Sequence, residues 1–318
     1  MGRTGLTVSR AGFGGGGIGQ VWGPTDEQEA IASVHRALEL GITFFDVAPG
    51  YGDGKAEEAL GKALEGRSEP VVVATKVRLL ADEMDDVAGA VQRSVDISLR
   101  RLRRDSVDVL HVHNRFTERR GEVPNSLSAD DVLGPVLDAY RAVQRAGKTR
   151  FIGLSAMDHH LPTMRRILEA NEYDTVLAYY NLLNRTAMEL PPSGVELFDN
   201  GQIIPLARSL DMGVIGIRSH AAGALTDGLD RPPRPGDALM QKDLASAQKL
   251  GFLLDGPIRT LSQAAMVFCL MNPDIHSTVP GVKNRAEAEE TATCVDLPPI
   301  PPEHLARLQQ LYENDFRG

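Results

Sequence analysis

The sequence predicts an α/β fold, a (β/α)8 TIM barrel, and three observations predict it. Short β-rich stretches alternate with amphipathic stretches along the 318 residues. Eight strand candidates occur, each followed by a helix candidate. No shift in composition marks a domain boundary, so residues 1–318 are expected to form a single domain. Strands alternating with helices imply a parallel sheet with right-handed crossovers. Eight such units suit a barrel of ~250 residues plus insertions. An open doubly wound sheet is the other arrangement compatible with the alternation.

The elements follow in order. "RAGFG" (10–14) is the first strand. "TDEQEAIASVHRALELG" (25–41) opens with a capping-box match, Thr25 and Gln28, places Ile31, Val34 and Leu38 on one face, and stops at Gly41. "ITFFDVA" (42–48) is β-branched and aromatic, and "KAEEALGKALEG" (55–66) is helical. "VVVATKV" (71–77) is the apolar run of a strand buried on both faces. "DDVAGAVQRSVDISLRRL" (85–102) carries Val87, Val91, Val95 and Leu99 at steps of four. A strand at 107–114, one helix over 128–147 and a strand at 150–156 follow. The next helix has Pro162 near its first turn, where a missing N–H costs nothing.

The alternation ends with a strand at 175–181, a helix near 200–210 and a strand at 213–219. An apolar helix at 260–272 has a capping match from Thr260 to Gln263. A strand at 276–282 and a helix at 285–292 complete the eight units. Two stretches are extra: a long loop after strand seven (220–258, containing "DRPPRPGDA") and a C-terminal helix over 302–313. Loops of that length are uncommon unless functional.

Composition excludes several classes. Hydrophobic residues make up 42% and charged residues 24%, which is ordinary globular usage. A net charge of −9 argues against nucleic acid as a partner, because a phosphate backbone wants a basic face. The runs "LRRLRRD" (99–105) and "TERRGE" (117–122) read as solvated surface. No apolar run approaches the ~20 residues of a membrane span, and "MGRTGLTVSR" has no signal-peptide stretch. Leu6 spoils the myristoylation pattern. Cys269 and Cys294 form no CxxC pair, so a reduced, cytoplasmic protein is expected. Oligomeric state is open.

The run "GFGGGG" (12–17) matches GxGxxG. A dinucleotide-binding Rossmann turn needs a helix opening inside the glycines and an acid about 20 residues on. Here "IGQVWGPT" intervenes, and the acid at the next strand end, Asp46, lies about 30 residues beyond. The glycines, Gly15 among them, read better as a loop at the mouth of strand one that lets backbone approach a ligand closely.

In a barrel, chemistry sits where strands end and βα-loops begin. Strand two ends at Asp46 and its loop carries Tyr51, strand three ends near Lys76, and strand four ends at His113. Singly, each has a bland alternative. Asp46 alone suits a turn cap, Tyr51 a loop aromatic, and His113 a satisfied core histidine, with His111 pointing the same way. Lys76 stands out, because an unpaired ammonium inside an apolar strand is costly. It demands a partner, and Asp46 on the adjacent strand is the obvious one. Together, on successive strand ends, the four point to a reaction centre.

Their chemistry fits proton transfer. A tyrosine with an ordinary pKa near 10 is a poor acid or base at neutral pH. A nearby Lys⁺ favours tyrosinate and is expected to lower that pKa. The carboxylate holds the lysine, and a histidine beside the phenol can orient a carbonyl or alcohol oxygen. Such a tyrosine protonates an alkoxide or deprotonates an alcohol. No metal cluster is evident, so an organic hydride carrier is expected.

The order Asp46, Tyr51, Lys76, His113 resembles the tetrad of the aldo-keto reductase family. "GITFFDVAPGYGDGKAEEALGKAL" (41–64), "GKTRFIGLS" (147–155) and "TVPGVKNRAEAEE" (278–290) resemble that family's characteristic stretches, and "GRTGLTVSRAGFG" (2–14) its opening. The similarity spans nearly the whole chain. The resemblance implies Tyr51 as proton donor or acceptor, Lys76 and Asp46 as its tuners, and His113 as a substrate-orienting group. It implies NAD or NADP extended across the barrel mouth. Gly15, Asp46, Ser155, Arg218, Ser219, Gly281, Lys283, Glu287 and Glu290 are the cofactor-binding candidates.

Within the family, "VDVLHVHN" (107–114) and "GVIGIRSHAAGALTDG" (213–228) are most similar to the aldose and L-galactose dehydrogenase branch. That branch oxidises sugars at C1. Some positions depart from the pattern: Ala156 for Asn, Leu177 for Gln, Ile217 for an aromatic, Arg218 for Ser, and Thr291 for Asn. Arg218 is a candidate for an anionic substrate group or the cofactor pyrophosphate. Lys283 favours the 2′-phosphate of NADP, whereas Glu287 and Glu290 repel it. Two carboxylates against one ammonium give a slight lean to NAD.

Four functions compete: a sugar or small-alcohol dehydrogenase, an aldehyde or ketone reductase, a cofactor-sensing binding protein with little turnover, and a barrel hydrolase or lyase. The last predicts paired carboxylates on strand ends, and only Asp46 is found. The expected partner is a small-molecule substrate, with no nucleic acid and no membrane.

Overall fold

A computed structural model describes residues 1–157, 159–195, 197–229 and 237–317. Its strands are β1 (Phe13–Gly14), β2 (Phe44–Asp46), β3 (Val72–Val77), β4 (Val107–Val112), β5 (Thr149–Ala156), β6 (Thr175–Tyr179), β7 (Gly213–Ile217) and β8 (Ser277–Thr278). All pair in parallel, each with its chain neighbour, in one sheet. Bridges Ala11–Thr278 and Gly14–Gly281 bring the last strand back to the first. The curled sheet therefore closes on itself as a (β/α)8 barrel does, which leaves no exposed edge.

The helices are α1 (Glu27–Glu39), α2 (Lys55–Leu64), α3 (Val87–Leu102), α4 (Ala129–Asp131), α5 (Leu137–Arg145), α6 (Leu161–Glu169), α7 (Ile203–Ser209), α8 (Ala238–Ala247), α9 (Leu261–Leu270), α10 (Arg285–Thr293) and α11 (Pro302–Glu313). Four differences from the sequence reading have local causes. The N-cap of α1 is Asp26, which accepts from Glu29 N, not Thr25, whose hydroxyl donates to Lys283 O. The single helix expected over 128–147 breaks: Ser128 caps α4, a π-helical run holds Gly134 and Pro135, and α5 starts at Leu137. Proline lacks the N–H and crowds the carbonyl four residues back. β1 and β8 are two residues each, and beyond them the pairing continues only as isolated bridges at Ala11 and Gly281. The long connection after β7 carries α8, and its Pro-rich part, residues 230–236, lies outside the described residues.

Alternation along the strands decides what faces the barrel interior. Phe44, Val72, Ala74, Val109, Leu177, Ile215 and Val279 pack together as one apolar plug, floored by Leu6. The same alternation carries Phe44 to Asp46, Ala74 to Lys76, and Val109 to His111 and on to His113. The strands' other faces, with residues such as Phe45, Val73 and Leu110, pack on the helices. Truncating a buried Phe such as Phe45 to Ala would cost about 3–5 kcal/mol. The inward rows are thus apolar below and polar at the C-terminal ends.

Candidate active site

The polar ends of β2, β3 and β4 meet. Lys76 Nζ donates to Asp46 Oδ2 at 2.6 Å and to Val47 O at 2.8 Å, so the buried ammonium has two acceptors. Nζ also lies 5.1 Å from the centroid of the Tyr51 ring. The Tyr51 and His113 rings stand edge to face, 6.1 Å apart at 88°. Pro49 and Gly50 form the turn that returns Tyr51 over the barrel, closed by Tyr51 N donating to Ala48 O. His111 is fully buried one level below, with Nε2 3.0 Å from Thr175 Oγ1. It is a core histidine, as its position in the strand allows.

Electrostatics set the protonation states. Burial pushes the Asp46 carboxyl above its ordinary value, against the opposing pull of Lys76. Burial disfavours the Lys76 ammonium, but Asp46 and Tyr51 outweigh it and hold the group protonated above its ordinary value. The Tyr51 phenol is raised, not lowered as the sequence reading expected. Desolvation is the largest influence on it, and Asp46 adds to that; Lys76 and Arg218 pull the other way without winning. A lysine whose charge is already countered by a carboxylate 2.6 Å away does less to a phenol than an unpaired one. His113 is pushed down to about 3 by burial and by the charges of Lys76 and Arg78, so its imidazole is neutral.

These groups open into a cavity of about 1010 Å³ at the C-terminal ends of the strands, spanning from the β1 glycines to α10. Its volume matches the upper range of small-molecule sites. Asp46, Tyr51, Lys76, His113, Ser155, Arg218, Ser219, Gly281, Lys283, Glu287 and Glu290 all line it. Gly15 does not: its N–H donates to Asp46 O and a Cβ there would meet Val47 Cγ1 at 2.5 Å, so it packs on β2 while Gly14 and Gly16 face the cavity. Lys283 Nζ pairs with Glu287 Oε1 at 3.2 Å, and Thr260 Oγ1 donates to Glu290.

The lining also contains residues the sequence reading did not single out: Trp22, Arg78, Asn114, Met157 and Thr226. Trp22 is the only tryptophan in the chain, set in a glycine-rich loop, and that isolation was the available signal. Its indole lies where a Cβ on Gly16 or Gly281 would stand, 2.8 Å and 2.5 Å away. Arg78 two residues past Lys76 carried no comparable signal.

An extended nicotinamide dinucleotide fits this lining. Asp46 Oδ1 and Ser219 Oγ are buried without a hydrogen-bond partner among the described residues, so they are available to a polar ligand. Glycines 14 and 281 keep the wall at backbone level. Among the described residues no group of three or more His, Cys, Asp and Glu is placed to hold a metal ion, and no helix is long and apolar enough to cross a membrane.

Comparison with known proteins agrees with this geometry. The chain is 32% identical over 305 residues to L-galactose dehydrogenase of Arabidopsis thaliana, covering 93% of this chain and 86% of that protein. An aldo-keto reductase from Bacillus halodurans in its holo form superposes with a TM-score of 0.74 at 23% identity, covering 98% of this chain and 94% of that one. An aldo-keto reductase from Klebsiella pneumoniae in complex with NADPH gives 0.66 at 22% identity, covering 96% and 92%. The model of the Aldo/keto reductase family matches residues 10–313. An inward row of Asp46, Lys76 and His113 beside Tyr51, on a closed eight-stranded barrel, is therefore what this match covers, and the chain belongs to the aldo/keto reductase family of oxidoreductases.

Proposed function

We propose that the chain, as one barrel domain, is a nicotinamide-dependent dehydrogenase. It moves hydride between the cofactor and the hydroxyl-bearing carbon of a sugar or small alcohol, in the manner of an aldose 1-dehydrogenase. The observation that carries this reading is the convergence of Tyr51, Lys76, Asp46 and His113 at one end of the cavity. The 32% identity to L-galactose dehydrogenase supports a sugar as substrate. The bound cofactor supplies hydride acceptance or donation. Ser155, Ser219 and the Gly281–Glu290 segment would hold it.

The chain's own part is proton management. In oxidation Tyr51 takes the proton of the substrate hydroxyl, and the neutral His113 donates to the same oxygen and orients it. Lys76 stabilises the tyrosinate that this step consumes and that reduction regenerates, and Asp46 keeps Lys76 fixed and charged. In reduction the phenol gives its proton to the forming alkoxide. At neutral pH the raised phenol is protonated, the form that this second direction needs. An aldehyde or ketone reductase using the same four residues is therefore the second reading. The Klebsiella complex with NADPH supports a nicotinamide cofactor, and the pairing of Glu287 with Lys283, beside the carboxylate of Glu290, supports a lean to NAD.

A screen of aldoses and aldehydes with NAD, NADP and their reduced forms, followed by nicotinamide absorbance, tests both readings. Oxidation of an aldose supports the first, and reduction alone supports the second. Cofactor binding with no turnover of any substrate would overturn both and leave a cofactor-sensing protein.

A further inference from the structure

Around Tyr51 the cavity wall is cationic, in a chain whose net charge is −9. Arg78 and Arg218 line it there with Lys76, whose charge is met by Asp46. The other carboxylates lining the cavity among the described residues belong to α10, and Asp243 of α8 is near enough for Arg218 to pull its carboxyl down against burial. A neutral sugar has no use for such a wall. An anion would be drawn in by it and neutralised on it.

Arg218 is the cation best placed to do this. It follows β7 directly, with φ of 61°, a left-handed conformation that side chains other than glycine adopt rarely. Its guanidinium carbon lies 5.9 Å from the centroid of the Trp22 ring and 5.7 Å from that of Tyr179. Its Nε is buried with no partner among the described residues. A guanidinium stacked on aromatic faces keeps its in-plane N–H groups for a planar anion. A buried donor left unpaired is costly, and an anion in the cavity would remove that cost. The Arg218 charge is also felt at the Tyr51 phenol, which it pulls down.

We propose that Arg218 seats an anionic group on the substrate, so that the preferred substrate is an acidic sugar, bearing a carboxylate or a phosphate, and not a neutral aldose. The inference rests on the dehydrogenase reading above and deepens it. With the C1 hydroxyl at Tyr51, the anion is the far end of the sugar ring, held across the barrel mouth from β7.

The test compares kcat/KM for galacturonate, galactose 6-phosphate and galactose, and for the corresponding gluco sugars. It uses the wild-type chain, Arg218→Ala and Arg218→Lys, with cofactor Kd measured by fluorescence titration. The wild type is expected to prefer an acidic sugar over its neutral counterpart. Arg218→Ala is expected to lower that acidic-to-neutral ratio by roughly 10- to 100-fold, the scale of a lost hydrogen bond to a charged group. Arg218→Lys recovers part of it, and cofactor Kd stays within about twofold, far below the ten-fold step of 1.4 kcal/mol. Preference for the uronate assigns a carboxylate, and preference for the phosphate ester assigns a phosphate. A ratio unchanged in Arg218→Ala, or a loss that tracks cofactor Kd, overturns the inference. Oxidation of galactose or glucose without acidic preference overturns it alone, whereas no turnover of any sugar overturns the dehydrogenase reading with it.

Discussion

The Lys76 ammonium donates to Asp46 Oδ2 at 2.6 Å, with side chains only 1% and 5% exposed. An ion pair this deep is costly to assemble and costlier to break. Desolvation works against both charges, and each survives because the other is there. The pair also sets the charge beneath Tyr51, so stability and proposed chemistry share one contact.

Asp46→Asn should therefore destabilise the fold by about 3–5 kcal/mol, because it leaves Lys76 as an uncompensated buried cation. The double variant Asp46→Asn, Lys76→Met should recover much of that stability while remaining inactive. Urea unfolding and turnover assays read the two effects separately. A double variant no more stable than the single one would show that the cost lies elsewhere.

The phenol gives a pH signature. Tyr51 sits above its ordinary value, so oxidation should quicken as pH rises toward it and reduction should slow. Lys76 pulls the phenol down, so Lys76→Met should move that limb to still higher pH. Tyr51→Phe should lose about 10²–10⁴ in kcat while cofactor fluorescence titrations change little. Wild-type turnover in Tyr51→Phe would sink the mechanism.

Acid should destabilise the protein through its buried histidines. His113 is pushed down to about 3 and His220 to about 4, both mainly by burial. Between the ordinary value of 6.5 and these values, the unfolded chain binds protons that the folded chain refuses. Stability is therefore fully present above pH 6.5 and falls as pH drops, at about 1.4 kcal/mol per pH unit for each histidine. His113→Gln should make the urea midpoint less dependent on pH across that window. An unchanged slope would mean that the histidine is protonated in the folded state.

Cofactor choice should respond to Glu287. Its carboxylate binds both the Lys283 ammonium and the Lys283 N–H. Glu287→Gln removes a repelling charge and loosens one ion pair of the ammonium, which favours a 2′-phosphate. The NADP-to-NAD ratio of kcat/KM should rise by on the order of tenfold, or ~1.4 kcal/mol. A ratio that falls instead would place the adenosine ribose elsewhere.

Gly17 tests the glycine loop. A Cβ there would stand 2.1 Å from Val282 O, a backbone atom that does not give way cheaply. Gly17→Ala should lower stability by about 1–3 kcal/mol, as overpacking does, seen as a lower Tm. Cofactor affinity should fall with it, since the displaced Val282 adjoins Gly281 and Lys283.

Much of this protein was written into its local sequence. Alternating β-rich and amphipathic stretches predicted eight parallel strands, because side-chain periods of 2 and 3.6 follow from backbone geometry alone. Caps with local partners were legible too: Thr260 and Gln263 cap each other as their spacing predicts. Lys76 was legible because an ammonium in an apolar strand must find a carboxylate. Asp46 lies one strand away, and β3 aligns Ala74 with it.

Tertiary structure decided the rest. Thr25 matched a cap pattern, but its hydroxyl is taken by Lys283 O, contributed by the far end of the chain. Gly15 looked like a ligand contact, but the closure of β1 on β2 turned it toward Val47. The phenol of Tyr51 was expected to be lowered by Lys76. Its direction depends on a balance of burial against charge that exists only once the barrel encloses both groups. The setting of Arg218 also required the fold, since Trp22 and Tyr179 reach it from the loop after β1 and from the end of β6. Short-range order follows from residues a few positions apart. Charge, burial and stacking at the site depend on residues up to about 200 positions apart, such as Trp22 and Arg218, which only the closed barrel brings together.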